Sequence, residues 1–188
     1  MNVIDALSSA YDHGQSIMDG ITPEQLDAPT PCPNFTVRQL AGHTLDVMDM
    51  ITTATGGDAA PAQDGDRTDN PGEAFRDAAE RSRAAWAGVE SLDAPLSMPW
   101  GDSTFDNAAR MGLADVLAHT WDAAVATGQP RELPEGPAEV AYDFTKGMLK
   151  PEYRTEGPDA TFGPEVAVGD DAPVTERLVG WLGRNPRA

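Results

Sequence analysis

The stretch Ala108-Ala-Arg-Met-Gly-Leu-Ala-Asp-Val-Leu-Ala-His-Thr-Trp-Asp-Ala-Ala-Val-Ala-Thr127 carries only three charged residues, Arg110, Asp115 and Asp122. It has the length and composition of a helix, and Gly128 follows as a stop. On a helical wheel Leu113, Val116, Leu117, Thr120 and Ala124 form an apolar arc. Asp115, His119 and Asp122 fall within about 60° of one another, away from that arc. A carboxylate and an imidazole four residues apart are stacked on one face. Ala108, Met111, Gly112 and Ala126 surround them, not the Lys, Glu or Arg of a solvated surface. A buried Asp without a partner is costly, and a bound cation or a protonated His relieves that cost.

Outward from this helix, three more long helical patterns precede it. The first runs from Val3 to Asp19, with Ile4, Leu7, Tyr11, Gly14, Ile17 and Met18 at three- and four-residue steps. Thr22-Pro-Glu-Gln25 forms a capped turn, and the three prolines of Ala28-Pro-Thr-Pro-Cys-Pro-Asn34 exclude helix and central strand. The second helix opens at Thr36, where Thr36-Val-Arg-Gln39 has capping-box spacing, and runs to about Thr55. Residues 56–69 read as a flexible loop that could close over a site. The third helix starts at Asn70-Pro-Gly-Glu73, with Phe75, Ala78, Ala79, Ser82, Trp86 and Val89 as its buried stripe. Residues 95–104 break the chain before the fourth.

Residues 134–150 read as a further helix and 175–182 as a closing one. The irregular stretch 151–170 has room for a short strand around Thr161-Phe162. No run alternates strictly, which argues against a sheet protein. The expected fold is all-α: a four-helix bundle over 1–130 with a helical C-terminal extension, 131–188, packing on it within one domain, 1–188.

Composition narrows the function. The 188 residues carry a net charge of −18, with 13 Lys and Arg scattered along the chain. Nucleic acid, whose phosphates need clustered bases, is a poor partner. Cys32 is the only cysteine, so there is no internal disulfide and no paired-cysteine zinc site. No apolar run reaches the length of a membrane span, and no leader pattern opens the chain, so a cytoplasmic protein without membrane partners is expected.

His43 supplies a third potential donor. It shares a wheel face with Leu40, Val47, Met50 and Ala54, the core side of the second helix. It reads either as a core histidine satisfied by one hydrogen bond or as a metal ligand. With Asp115 and His119 it would complete a two-His, one-carboxylate set with an open position, as in catalytic metal sites. Zn²⁺ suits such donors, and Ni²⁺, Co²⁺ and Fe²⁺ also accept them. A metal-free acid–base pair of His119 and Asp115 is the other use of these residues. Asp122 reads as the residue that orients His119, or as a surface acid. Trp100 and Phe105 are candidates for a pocket wall or for core packing, and His13 for the pocket mouth. Cys32 and the methionines at 48, 50 and 111 read as packing residues.

Three blocks resemble a known family: Thr30-Pro-Cys-Pro-Asn-Phe-Thr-Val-Arg-Gln-Leu-Ala-Gly-His43; Pro99-Trp-Gly101 with the segment 114–128; and Arg177-Leu-Val-Gly-Trp-Leu-Gly-Arg-Asn-Pro186. The chain resembles the actinobacterial, DinB-like metal-binding group related to the N-terminal domain of mycothiol-dependent maleylpyruvate isomerase. The resemblance implies a four-helix bundle holding a divalent metal, usually zinc, through His43, Asp115 and His119. It also implies mycothiol as cosubstrate, an electrophilic second substrate, and S-transfer or thiol-assisted isomerisation. The isomerase has Glu where this chain has Asp115, one methylene shorter. A non-catalytic bundle that binds a small ligand or partner, with the metal structural or absent, is the alternative.

Overall fold

A computed structural model describes residues 1–33, 35–58, 60, 67–99, 101–154 and 162–187. The four long helices are α1 (Val3–Asp19), α2 (Val37–Ala54), α3 (Pro71–Ala87) and α4 (Phe105–Thr127); α5 (Glu135–Met148) and α6 (Val174–Trp181) follow. The protein is an all-α, DinB-like bundle. In it α1 packs on α3 and α4, and α2 packs on the same two. Each pair of neighbours joins one amphipathic stripe to another: Leu7, Leu40, Leu45, Phe75, Leu113 and Leu117 meet in the common core. The extension lies against this bundle, with α5 on α1 and α4 and α6 on α5.

The starts of α2 and α3 follow the caps read from the sequence, and α1 and α4 have caps not singled out there. Asn2 accepts from the Asp5 amide, and Thr36 and Gln39 form the expected capping box. Asn70 and Thr104 cap α3 and α4 in the same way. Gly128 ends α4 in the left-handed region at φ 70°, where a side chain would be strained.

Three expectations need correction. Residues 95–104 are not a plain break: β1 (Pro95–Met98) and β2 (Gly101–Thr104) pair antiparallel, with Pro95 opposite Thr104. Leu96 and Met98 turn into the core from this hairpin, a period-two pattern too short to register in the sequence. Val89 lies past the end of α3 and packs from the following turn. The strand expected at 161–162 is a single parallel bridge between Arg154 and Phe162, and Thr161 lies outside the described residues.

The placement of α4 matters most for the site. From Gly112 to Ala124 every residue except Asp115 is buried. The side of α4 that carries Asp115, His119 and Asp122 is therefore an interior face, covered by α2, α5 and the C-terminal segment. Gly112 allows part of this closeness, since a Cβ there would sit 3.0 Å from Ile51 Cδ1 of α2.

Candidate metal centre

The α2–α4 contact brings His43 across to Asp115 and His119. His43 Nε2 lies 3.4 Å from Asp115 Oδ1, and His119 Nε2 lies 3.6 Å from the same oxygen. The two imidazoles stand edge to face, with centroids 4.9 Å apart. Donors on a tetrahedral ion at about 2.0–2.1 Å are separated by about 3.4 Å. Two of the trio's three donor separations are thus close to that value, and all lie within 4.8 Å. The shorter Asp115 reaches both imidazoles without the extra methylene of a glutamate.

A second observation fits a cation. Asp115 Oδ2 is buried and has no hydrogen-bond partner among the described residues. Such an orphaned carboxylate oxygen is expensive unless something positive meets it. Asp115, through its hydrogen bond, raises the pKa of His43 above the ordinary imidazole value, against the opposite pull of burial. The side chains of His43 and Asp115 are 36% and 21% exposed, so solvent-borne ligands can reach the trio.

Behind His119 stands a second layer. Its Nδ1 is 3.1 Å from Asp122 Oδ2, which points Nε2 toward Asp115. Asp122 is fully buried and is gripped by Arg184, whose Nη2 donates to Oδ2 at 2.9 Å and whose Nε donates to Oδ1 at 3.3 Å. Burial alone would push the Asp122 carboxyl up. Arg184 and His119 outweigh it and hold the group below the usual carboxylate range. Cys32, His119 and Asp122 also cluster within metal-ligand spacing. There the Arg184 guanidinium already neutralises the carboxylate, so the second cluster is the poorer cation site.

These groups border a cavity of about 400 Å³. Phe35 stacks on His43 at 5.2 Å and lines it, as do Cys32 and Arg184. Of the pocket candidates, Trp100 lies outside the described residues. Phe105 packs edge-on against Trp86 and does not line the cavity. His13 sits half-buried on α1, away from the cavity, and burial lowers its pKa. Met50 and Met111 line the cavity, whereas Met48 is core. In the 56–69 loop, Arg67 pairs with Asp46 and Asp49 of α2, and none of its described residues lines the cavity.

Sequence reasoning missed Arg184, Phe35 and the wall contributed by α5. Arg184 did lie within the C-terminal block that resembles the family, but pairing it with Asp122 across 62 residues needs the fold. The absence of a basic neighbour for Cys32 in sequence is likewise reversed in space, where Arg184 comes within electrostatic reach of it.

Residues 7–124 match the model of the mycothiol maleylpyruvate isomerase N-terminal domain. The chain belongs to that family. All three members of the trio, and Asp122, fall inside the matched segment of this isomerase-domain relative, whereas α5, α6 and Arg184 lie beyond it. Two uncharacterised proteins of Mycobacterium tuberculosis, from strains CDC 1551 / Oshkosh and ATCC 25618 / H37Rv, are each 26% identical over 187 residues, spanning all of both chains. No solved structure matches. Among the described residues of this family member, no helix is long and apolar enough to cross a membrane.

Proposed function

We propose that this protein holds a divalent cation, zinc by preference, on His43, Asp115 and His119, and transfers or isomerises through a small thiol. The observation that carries the reading is Asp115: one oxygen 3.4 and 3.6 Å from two imidazole nitrogens, the other buried and unpartnered among the described residues. A divalent ion bound there would lower the pKa of a thiol, so that it stays a thiolate at neutral pH. Family membership supports mycothiol as the cosubstrate, with an electrophile as the second substrate. The expected setting is the cytoplasm, where such thiols are kept reduced.

The chain's own residues supply orientation and dryness. Arg184 fixes Asp122, Asp122 fixes the tautomer and plane of His119, and Phe35 covers one side of His43. In transfer, the thiol proton passes to solvent, a sulfur–carbon bond forms, and the leaving group departs with its electron pair. In isomerisation, the sulfur adds to a conjugated double bond, rotation follows, and the same sulfur–carbon bond breaks. The extension 131–188 acts as part of the same domain, because its Arg184 stands behind the ligands.

A second reading, a non-catalytic ligand-binding bundle, draws on one fact. Beyond the trio, the cavity's Thr145 and Arg184 already bond to protein atoms, leaving no spare acid–base pair among those described. Elemental analysis of untagged protein separates the readings. About one equivalent of metal is expected, lost in both Asp115→Ala and His119→Ala, together with mycothiol-dependent turnover. Full metal content in those variants would sink the proposal, and metal without turnover would favour the second reading.

A further inference from the structure

The cavity next to the trio is chemically one-sided. Its apolar wall is made by Met50 and Ile51 of α2, Met111 of α4, Phe144 and Met148 of α5, and Phe162. The hydroxyl on that wall is spoken for. Thr145 donates its hydroxyl to the Ala141 carbonyl at 2.8 Å. Arg184 stands at the other end, behind His119, where it donates to Asp122 from Nε and Nη2 and to the Leu182 carbonyl from Nη1. Among the described residues, polar capacity is thus concentrated at the trio end, around Asp115 Oδ2 and the Arg184 guanidinium. A polyhydroxylated body placed against the wall would leave its hydroxyls without partners. The neighbouring open hollow shows the contrast: it shares Met111, Phe144 and Met148 but adds Ser103, Asp106, Arg110 and Asp143.

Size and softness point the same way. A volume of about 400 Å³ lies within the range of small-molecule sites. It holds roughly a dozen water-sized groups. Three methionines give the wall unbranched side chains that repack around different shapes.

We propose that this cavity receives the apolar body of the second substrate, a small aromatic or branched aliphatic electrophile whose reactive carbon faces the trio. The assignment rests on the thiol-transfer reading and specifies its substrate class. For a benzylic halide the step is the attack of the thiolate on the benzylic carbon. The sulfur–carbon bond forms, the carbon–chloride bond breaks, chloride leaves with the electron pair, and the thiol's proton goes to solvent.

The test pairs binding with turnover on the full-length chain. Toluene and erythritol are titrated by saturation-transfer NMR into the metal-free and the zinc-loaded protein. Benzyl chloride and chloroacetamide are compared as electrophiles toward mycothiol, each corrected for its uncatalysed rate. Toluene is expected to bind in both metal states and erythritol in neither. Benzyl chloride is expected to be favoured at least about tenfold in kcat/KM, the worth of burying one ring. Phe144→Asp and Met50→Asp should each lose the toluene signal and the preference while keeping their zinc; two variants on separate helices guard against the misfolding of either. Absence of toluene binding, or a preference for chloroacetamide, overturns the assignment even if thiol transfer occurs. Toluene binding with no turnover of either electrophile instead fails the thiol-transfer reading, and leaves the cavity a site for apolar ligands.

Discussion

Helices α2 and α4 both carry residues of the candidate metal centre, yet they are built on opposite plans. α2 has an ordinary wet side. Asp46 is exposed there and pairs with Arg67, while Leu40, Leu45 and Met48 face inward. α4 is covered on nearly every side, and its two interior carboxylates are met by imidazoles and by Arg184. A charge on α2 is a solubility feature, whereas a charge in the middle of α4 is tolerated only because something binds it. The difference lies in the cost of desolvation, which is small for the first and several kcal/mol for the second.

The largest expected effect puts this contrast under direct strain. Asp122→Ala leaves Arg184 buried without its partner and should cost about 3–5 kcal/mol. Asp46→Ala breaks an exposed pair and should cost less than about 1 kcal/mol. Urea denaturation of the metal-free protein measures both, and equal losses would break the comparison. Asp122→Asn keeps the shape of the side chain. It should lower zinc affinity about 10–100-fold in chelator competition, the usual range for residues that orient a ligand.

A middle-sized effect lies off both helices and serves as a reference. Tyr11 of α1 is buried, its hydroxyl 2.8 Å from Ser82 Oγ of α3. Burial, against the pull of Ser82 and Arg83, pushes its pKa up to about 12. An acid whose folded value is raised contributes stability below its unfolded value near 10, and loses that contribution as pH rises toward 12. The chain should therefore lose about 1–3 kcal/mol over that window. Tyr11→Phe should flatten the decline in pH-dependent denaturation, and an unchanged slope would assign the loss to other groups.

The smallest effect asks whether the two helices are alike at their ends. Thr36 caps α2 and Thr104 caps α4. Replacing either by Ala should cost about 1 kcal/mol. A Thr104→Ala variant that lost much more in thermal melts would show that the hairpin before α4 depends on the same residue.

Helix existence was legible because α1, α2 and α3 are one-sided, and their caps sit where the side-chain chemistry requires them. On α4 the shared face of Asp115, His119 and Asp122 could be read, but its surroundings could not. Periodicity reports which side of a helix is wet, and the middle of α4 has almost no wet side. His43 reads as a core-side residue, but its side chain is 36% exposed on the cavity side of α2, and the 3.4 Å that separates it from Asp115 depends on how two helices cross. Phe105 reads equally as a pocket wall or as core packing, and it packs against Trp86. The wall came from Phe144 and Phe162, on segments far from the trio in sequence, and periodicity does not report a contact at that separation. Arg184 and Asp122 were hidden for the same reason.

The enclosure of α4 also separates two kinds of variability. Asp115 and His119, and the Asp122 that steadies them, stand on a helix where nearly every neighbour is in contact with something else. Most of the wall is half-buried and is borrowed from α2, α5 and the segment around Phe162. Over evolutionary time such a chain can retune what it accepts by drifting on the borrowed side while the donor helix stays still. Divergent relatives of this architecture are expected to share α4 and differ in appetite.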